Sequence, residues 1–447
     1  MISIQKGNES VLAVCGKQKI KEKTGFRKSS VVLTVELPEG ELWHHTLTGE
    51  MVFIPNEEKN SADVKTDLTR RWFYVPEGFD ECRFSEQVRT VAELMSKKQE
   101  HLTGFDVLTT TDCNARCFYC YEKGIKRVSM SEKTAHDTAA FIIRSCGGEK
   151  VKLQWFGGEP LFNSSVISII VNDLIAAGVE YSSVMVSNGY LFDEETVKEA
   201  KELWKLKKVQ ITLDGREEVY NRTKAYIYKN VNAYQTVLDN IGRLLENGIQ
   251  VNIRLNLGSR NTEELFALTE ELAARFGGRT GFSVYSNLLY DFVGNGDGFS
   301  SPDAAMLADE KLKDRLKTLG ISRNLCLDDN YQVTLCMAAS DRCVLIAPDG
   351  HLGKCEHYIY DESIGTIYEG ITDKELVAKW KERPEGTEKC RTCAAYPLCS
   401  RWIKNCPIKK VNNCSEKQKI STLNDITQRM LNTYGKWKTE QTVPTEE

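Results

Sequence analysis

The stretch that most constrains this chain is Asp112-Cys113-Asn114-Ala115-Arg116-Cys117-Phe118-Tyr119-Cys120, a C-x3-C-x2-C run packed into one short loop. Three thiols this close cannot all pair as disulfides, and no histidine lies nearby to complete a zinc tetrahedron. Three soft ligands suit an iron–sulfur cluster with one iron left open for another ligand. A metal-free cysteine loop and a zinc knuckle are the alternatives at this point. Upstream, Gly104-Phe105-Asp106-Val107-Leu108-Thr109 reads as a strand. The loop therefore sits at a strand's carboxyl end, where α/β barrels carry their chemistry.

Composition narrows the setting. Of 447 residues, 41% are hydrophobic and 27% charged, with a formal net charge of −4. That balance offers no strongly basic face, so nucleic acid is not an expected partner, and no stretch is long enough to span a bilayer, so neither is a membrane. The first residues lack the apolar run of a signal peptide, which predicts a cytoplasmic protein. Fifteen cysteines in such a chain argue for metal or cluster ligation rather than disulfides. Eight of them fall between Cys336 and Cys414. Such clusters are oxygen-labile, which suits an anaerobic setting.

From residue 101 onward the pattern alternates strand and helix. Ser129-Met130-Ser131-Glu132 is a capping box opening a helix that stops at Gly147-Gly148. Strands follow at 151–156, 183–187, 209–213, 251–257 and 282–285. Helices are expected over 164–177, 193–206, 233–247 and 262–276. Six βα repeats with short turns mean parallel strands joined by right-handed crossovers. The fold class is therefore α/β, a partial (βα)6 barrel over 101–320. Residues 1–100 form a small β-rich domain, with strands at 31–35, 41–45, 51–54 and 71–76. Residues 55–67 read as loop, and a helix is expected from Ser85 to about Gln99. His44 and His45 read as one packed and one exposed residue. Residues 321–447 form a cysteine-rich domain, with a Pro348-Asp349-Gly350 turn joining two strands. The segment 287–301 reads as a linker and the tail after about Gly435 as frayed.

The cysteine run, with an aromatic residue (Tyr119) before its last cysteine, resembles the signature of the radical S-adenosylmethionine (SAM) enzymes. Gly157-Gly158-Glu159-Pro160 resembles that family's methionine-binding element, and Ser187-Asn188-Gly189 and Thr212-Leu213-Asp214-Gly215 resemble two further elements. The resemblance implies that Cys113, Cys117 and Cys120 hold a [4Fe–4S] cluster whose open iron binds SAM. It further implies that Gly157, Gly158 and Glu159 meet the methionyl amino group and Thr212 the ribose or carboxylate, while Asn188 and Asp214 line the cavity. Turn chemistry is the alternative for Asn188 and Asp214. In place of the family's carboxylate-pairing arginine, this chain reads Tyr220-Asn221-Arg222-Thr223-Lys224, which leaves the role to Lys224 or Arg222.

The later cysteines resemble a SPASM extension, which holds two more clusters, making three [4Fe–4S] clusters in all. By position the first would take Cys336, Cys343, Cys355 and Cys406, with Cys326 a possible substitute for Cys406. The second would take Cys390, Cys393, Cys399 and Cys414. A pair of zinc ribbons is the alternative. Cys15, Cys82 and Cys146 read as small buried hydrophobes. Residues 45–50 and 73–81 resemble a leader-binding domain, with a plain cap as the alternative. The set implies a maturase that modifies a ribosomally made precursor peptide with a leader, installing a cross-link of thioether type. An external flavodoxin- or ferredoxin-type protein would donate electrons. Glu356, next to Cys355, is the expected base. A formylglycine-generating sulfatase maturase, and a non-catalytic iron–sulfur or zinc module, are the competing readings.

Overall fold

The computed structural model describes the chain apart from residues 16–24, 97–100, 230, 290–298, 328–335, 360, 383–387, 400–403, 405, 407–413 and 443–447. The middle of the expected linker, 290–298, thus lies outside the described residues, as does the end of the helix expected to reach Gln99. The chain divides into two compact units. One gathers Met1–Gln99, Asn324–Cys336 and Glu382–Glu447, the other Glu100–Arg323 and Met337–Lys381.

In the first unit, β1 (Ile2–Gln5), β3 (Val32–Leu37), β4 (Gly40–His45) and β5 (Glu50–Pro55) form a sheet in the order β1-β5-β4-β3, which leaves β3 on the outside. A short ribbon pairs β2 (Phe26–Lys28) with β6 (Tyr74–Pro76), and α1 (Glu9–Cys15) and α3 (Glu81–Ser96) flank it. Both faces of the sheet are covered. Leu42, Met51 and Phe53 pack with Ile426, Met430 and Tyr434 of the C-terminal helix α13 (Glu416–Thr442), while Trp43, Val52 and Ile54 pack with Leu68 and Phe73. With both faces dry, His44 and His45 are both buried, unlike the one-in, one-out expectation. Each finds a backbone carbonyl, and burial pulls both down to about 4, so both stay neutral near pH 7.

Two further departures have local causes. Residues 62–70 form helix α2 (Ala62–Arg70), not loop, because Ser61 Oγ accepts the Val64 amide as an N-cap and Val64 and Leu68 share a face. The tail is helical to Thr442 because Leu423, Ile426, Met430, Tyr434 and Trp437 recur at helical spacing and pack together. A short helix, α12 (Glu388–Arg391), precedes it.

In the second unit, β7 (Gly104–Thr110), β8 (Val151–Gly157), β9 (Tyr181–Ser187), β10 (Leu206–Leu213), β11 (Gln250–Leu257) and β12 (Phe282–Leu288) lie side by side in chain order, all parallel. These are the six expected strands of the partial barrel. The intervening helices are α4 (Glu132–Ser145), α5 (Ser165–Ala176), α6 (Glu194–Glu202), α7 (Glu217–Lys224), α8 (Ala233–Glu246) and α9 (Thr262–Phe276), followed by α10 (Pro302–Thr318). The sequence reading did not include α7, a short and mostly polar helix. Alternation sorts the strands' two faces. Phe105, Val107, Leu153, Trp155, Val209, Ile211, Ile253 and Leu255 join the helices in one core, whereas Asp106, Gln154, Gln210, Thr212, Arg254 and Tyr285 take the opposite, inner face.

The cysteine-rich part also contributes to this sheet. Strand β13 (Cys343–Ile346) pairs in parallel with β7, and β14 (His351–Gly353), β15 (Gly365–Thr366) and β16 (Gly370–Ile371) continue it antiparallel before α11 (Lys374–Lys381). Cys343 lies opposite Gly104, where a Cβ would fall 2.6 Å from the Cys343 sulfur.

Candidate active site

The cysteine loop leaves β7 at its carboxyl end and is held on three sides. On the first, Gly158 N–H donates to Thr110 O (2.9 Å) and Glu159 N–H to Asp112 O (3.0 Å). The approach is so close that a Cβ at Gly157 or Gly158 would lie 2.2 or 2.3 Å from those carbonyl oxygens, and Gly157 has φ +127°. Both positions therefore require glycine.

On the second side Glu159 is fully buried and accepts from Ser187 Oγ (2.9 Å), Asn188 N–H (2.8 Å) and Leu161 N–H (3.1 Å). Burial outweighs those donors and lifts its pKa to about 7. Asn188, so placed, donates through Nδ2 to Asn114 Oδ1 (2.6 Å) and lies 3.8 Å from Cys113 Sγ.

On the third side, Arg116 N–H donates to Lys224 O (2.7 Å) and Ile227 N–H to Asn114 O (2.9 Å). The Lys224 ammonium pairs with Asp214 (3.0 Å) and donates to Tyr119 Oη (3.0 Å), which itself donates to Asp214 (2.8 Å). Both charged side chains are almost wholly buried, at 3% and 2% exposure. Arg222, in contrast, projects outward and pairs with the exposed Glu218. Of the two cations considered for the SAM carboxylate, one is thus already committed and the other faces away. Thr212 lies on the inner face, in register with Arg254.

The three thiols sense one another and are costly to ionise unaided. Burial pushes Cys113 up to about 12 and Cys120 up to about 11, and burial likewise raises Cys117. A bound cation would reverse that balance. Ala115 N–H already points at Cys113 Sγ (3.3 Å). Asn114 Nδ2 is a buried donor with no partner among the described residues, which fits an acceptor supplied by a bound group. No three His, Cys, Asp or Glu side chains among the described residues are gathered to hold a single ion. Three thiols that act on one another from a single loop match the donor set of a cluster with one iron left open. The residues present therefore fit a [4Fe–4S] group.

Of the other expected ligands, Cys343 and Cys355 belong to the barrel unit, and Cys336, Cys390, Cys393, Cys399, Cys406, Cys414 and Cys326 to the first unit. Within the first unit, Cys390 and Cys399 both act on the Cys393 thiol, which burial raises. Cys146 is a buried core residue and Cys82 is half-buried.

Two inner-face residues escaped the sequence reading. Asp106 accepts from Gln154 Nε2 (3.1 Å), and burial, reinforced by the Glu356 carboxylate, lifts it to about 7. Arg254 donates to Asn256 Oδ1 (2.9 Å) and makes no ion pair among the described residues. Their signal was a charge inside an otherwise apolar alternation, Phe105-Asp106-Val107 and Ile253-Arg254-Leu255. Nearby, Glu356 lies 3.9 Å from His357, whose ring packs against Tyr121 at 4.6 Å.

A parallel partial barrel with a cysteine triad at the carboxyl end of its first strand defines a cluster-binding α/β protein. Residues 107–273 match the model of the radical SAM superfamily. The GTP 3′,8-cyclase of Clostridium perfringens (strain SM101) is 26% identical over 294 residues, 60% of this chain and 84% of that one. An uncharacterized protein of Methanocaldococcus jannaschii is 33% identical over 112 residues, 24% of this chain and 37% of that one. Among solved structures, anSMEcpe, an anaerobic sulfatase maturase with bound AdoMet and Cp18Cys peptide, superposes with TM-score 0.55 at 16% identity. It covers 74% of this chain and 99% of its own. Streptococcus suis SuiB bound to precursor peptide SuiA gives TM-score 0.51 at 11% identity, over 84% and 95%. These two likenesses concern the fold. The cysteine-rich C-terminal part is consistent with a SPASM extension. No helix among the described residues is long and apolar enough to cross a membrane.

Proposed function

We propose that this chain is a peptide maturase that binds SAM and three [4Fe–4S] clusters and installs a cross-link, of thioether type, in a ribosomally made peptide. The observation that carries the reading is the attachment of β13–β16 to the cluster-bearing strand. It places Cys343 in the sheet, at the start of β13, and Cys355 and Glu356 in the turn just after β14, while the cysteine triad follows β7 of that same sheet. When bound, the cluster supplies an electron that cleaves SAM to methionine and a 5′-deoxyadenosyl radical, which takes a hydrogen atom from the peptide. The protein's part is orientation and exclusion of competitors. Asn188 and the Gly157-Gly158 turn fix the loop, and Thr212 meets SAM on the inner face. With Lys224 committed to Asp214, Arg254 is the inner-face guanidinium left for a carboxylate. Glu356 takes the proton from the peptide thiol, the electron left over when the C–S bond closes would pass to an auxiliary cluster, and Asp106 lies within electrostatic reach of Glu356. Peptide-bound relatives of this fold support a peptide substrate. A leader would add a strand to the outer edge of β3, and an external flavodoxin- or ferredoxin-type donor would supply electrons.

The test is anaerobic incubation of the reconstituted, reduced protein with SAM and cysteine-containing precursor peptides, read by mass spectrometry. A thioether appears as loss of two hydrogens together with loss of one alkylatable thiol. A product that instead reacts with hydrazide as an aldehyde would replace this reading with formylglycine formation. Absence of 5′-deoxyadenosine would remove both.

A further inference from the structure

The segment that carries the cysteine triad is charged unlike the rest of the chain. Residues 112–128 hold four cations, Arg116, Lys123, Lys126 and Arg127, against two carboxylates, Asp112 and Glu122. That is a net of +2 (four minus two) in a chain whose formal net charge is −4. All four cations are exposed, whereas Glu122 is partly buried and its Oε1 is out of contact with solvent. Asp112 is shared, with Arg127 Nε 3.3 Å and Arg116 Nη2 3.5 Å from the same oxygen. One carboxylate thus serves two guanidiniums, and Lys123 and Lys126 make no ion pair among the described residues.

Backbone contacts tie these cations to the triad. Lys123 N–H donates to Cys120 O (3.1 Å), and the Lys126 carbonyl takes Thr111 Oγ1 (2.8 Å). Apolar atoms are exposed on the same segment and beside it. Phe118, between Cys117 and Tyr119, is 38% exposed, and Ile227, whose amide donates to Asn114 O (2.9 Å), is 46% exposed. A single exposed apolar residue needs no explanation. Aromatic and arginine side chains exposed together are what protein interfaces favour.

We propose that Arg116, Lys123, Lys126 and Arg127, with Phe118 and Ile227, form the docking surface for a small acidic protein that delivers an electron from a reduced flavin. The proposal rests on the cluster reading given above and names the partner's surface and carrier group. An electron carrier must reach the cluster loop, bind briefly and leave. Charge complementarity speeds such an encounter without a large buried area. An acidic partner answers the four cations. A flavin answers Phe118 and Ile227, because the exposed edge of its ring system is apolar, whereas an iron–sulfur carrier presents no such ring. In the transfer itself the fully reduced flavin loses one electron and the oxidised cluster gains it, with no bond made or broken between the proteins.

The experiment measures two quantities on the reconstituted holoenzyme at low and at high salt. One is the Kd for an oxidised acidic flavodoxin, the other kcat/KM for the reduced flavodoxin in 5′-deoxyadenosine formation. Photoreduced deazaflavin, a small uncharged reductant, is the control. Lys123→Glu combined with Lys126→Glu is expected to weaken binding and lower kcat/KM by about 10-fold at low salt, the loss shrinking as salt rises. The deazaflavin-driven rate should stay unchanged. Lys123→Gln combined with Lys126→Gln should fall between that variant and wild type. An unchanged Kd at low salt, or a deazaflavin-driven rate that falls equally, would overturn the proposal. So would a raised KM for peptide with flavodoxin binding unaltered, which would give the patch to an acidic substrate. Weakened binding of an acidic ferredoxin with flavodoxin unaffected would overturn the choice of a flavin carrier. A wild-type protein that deazaflavin cannot drive to 5′-deoxyadenosine would fail the cluster reading instead, so the two failures are distinct.

Discussion

Asp106→Asn isolates the cost of holding a carboxylate on the barrel's inner face. Burial and then the Glu356 carboxylate raise Asp106 from 3.8 to about 7. The folded state therefore holds the proton more tightly than the unfolded chain. Stability from this group is fully present below about pH 4, falls as pH rises toward about 7, and stays reduced above that. Three units at about 1.4 kcal/mol each give an upper bound of about 4 kcal/mol. Interior relaxation and water entry reduce this, so about 2 kcal/mol is the expected penalty at pH 8. Asparagine keeps an oxygen for the Gln154 amide but carries no charge. The variant should then be more stable than wild type by about 2 kcal/mol at pH 8, and by less than half of that at pH 5. With two units the chain need not unfold in one step. The assay is accordingly hydrogen exchange of β7 and β8 amides in the cluster-free, reduced protein across urea at both pH values. Equal gains at the two pH values, or a loss that grows with pH, would refute the reasoning.

Replacing Cys113, Cys117 and Cys120 together by Ala should remove about a third of the iron, one cluster in three, and all 5′-deoxyadenosine formation; residual formation would place SAM cleavage elsewhere. Glu356→Gln should leave SAM cleavage intact while cross-linked product falls about 100-fold in single-turnover assays, the typical worth of one general base; product at the wild-type rate would discard it as base. Arg254→Met should raise KM for SAM or for peptide by about 10-fold, and whichever rises identifies the carboxylate that Arg254 meets; no change in either removes Arg254 from binding. Phe53→Ala, which removes the ring stacked 5.2 Å from Tyr434, should cost the first unit about 3–5 kcal/mol in denaturation without lowering iron at the triad.

The barrel was readable because its signals are local. Apolar alternation, capping residues such as Asp193, and glycine stops recur from β7 to β12, each within a few residues. The cap of α4, however, is Ser131, which accepts the Thr134 amide, and not Ser129, the capping-box expectation. The cysteine loop was equally visible, since ligand spacing is a property of one short segment. Partnerships across long separations were not visible. Lys224 reads as a free cation until the fold brings Asp214 and Tyr119 against it. Glu159 reads as a ligand-facing acid until Ser187 and Asn188 close over it. Asp106 and Arg254 were passed over because a single charge in a strand leaves the residues that will face it unspecified. The helix at the C-terminus was missed because its apolar stripe, thinly spread over a polar sequence, makes sense only beside the sheet that covers it.

That last pairing bears on how the chain is made. Leu42, Met51 and Phe53 leave the ribosome well before their covering residues Ile426, Met430 and Tyr434. Domains generally fold as they emerge, yet this apolar face stays open through translation of all that lies between, including all six barrel strands. At typical elongation rates of about 5–20 residues per second, that is an exposure of roughly 20–80 seconds. A stop codon just before Ile426 would leave that apolar face open permanently.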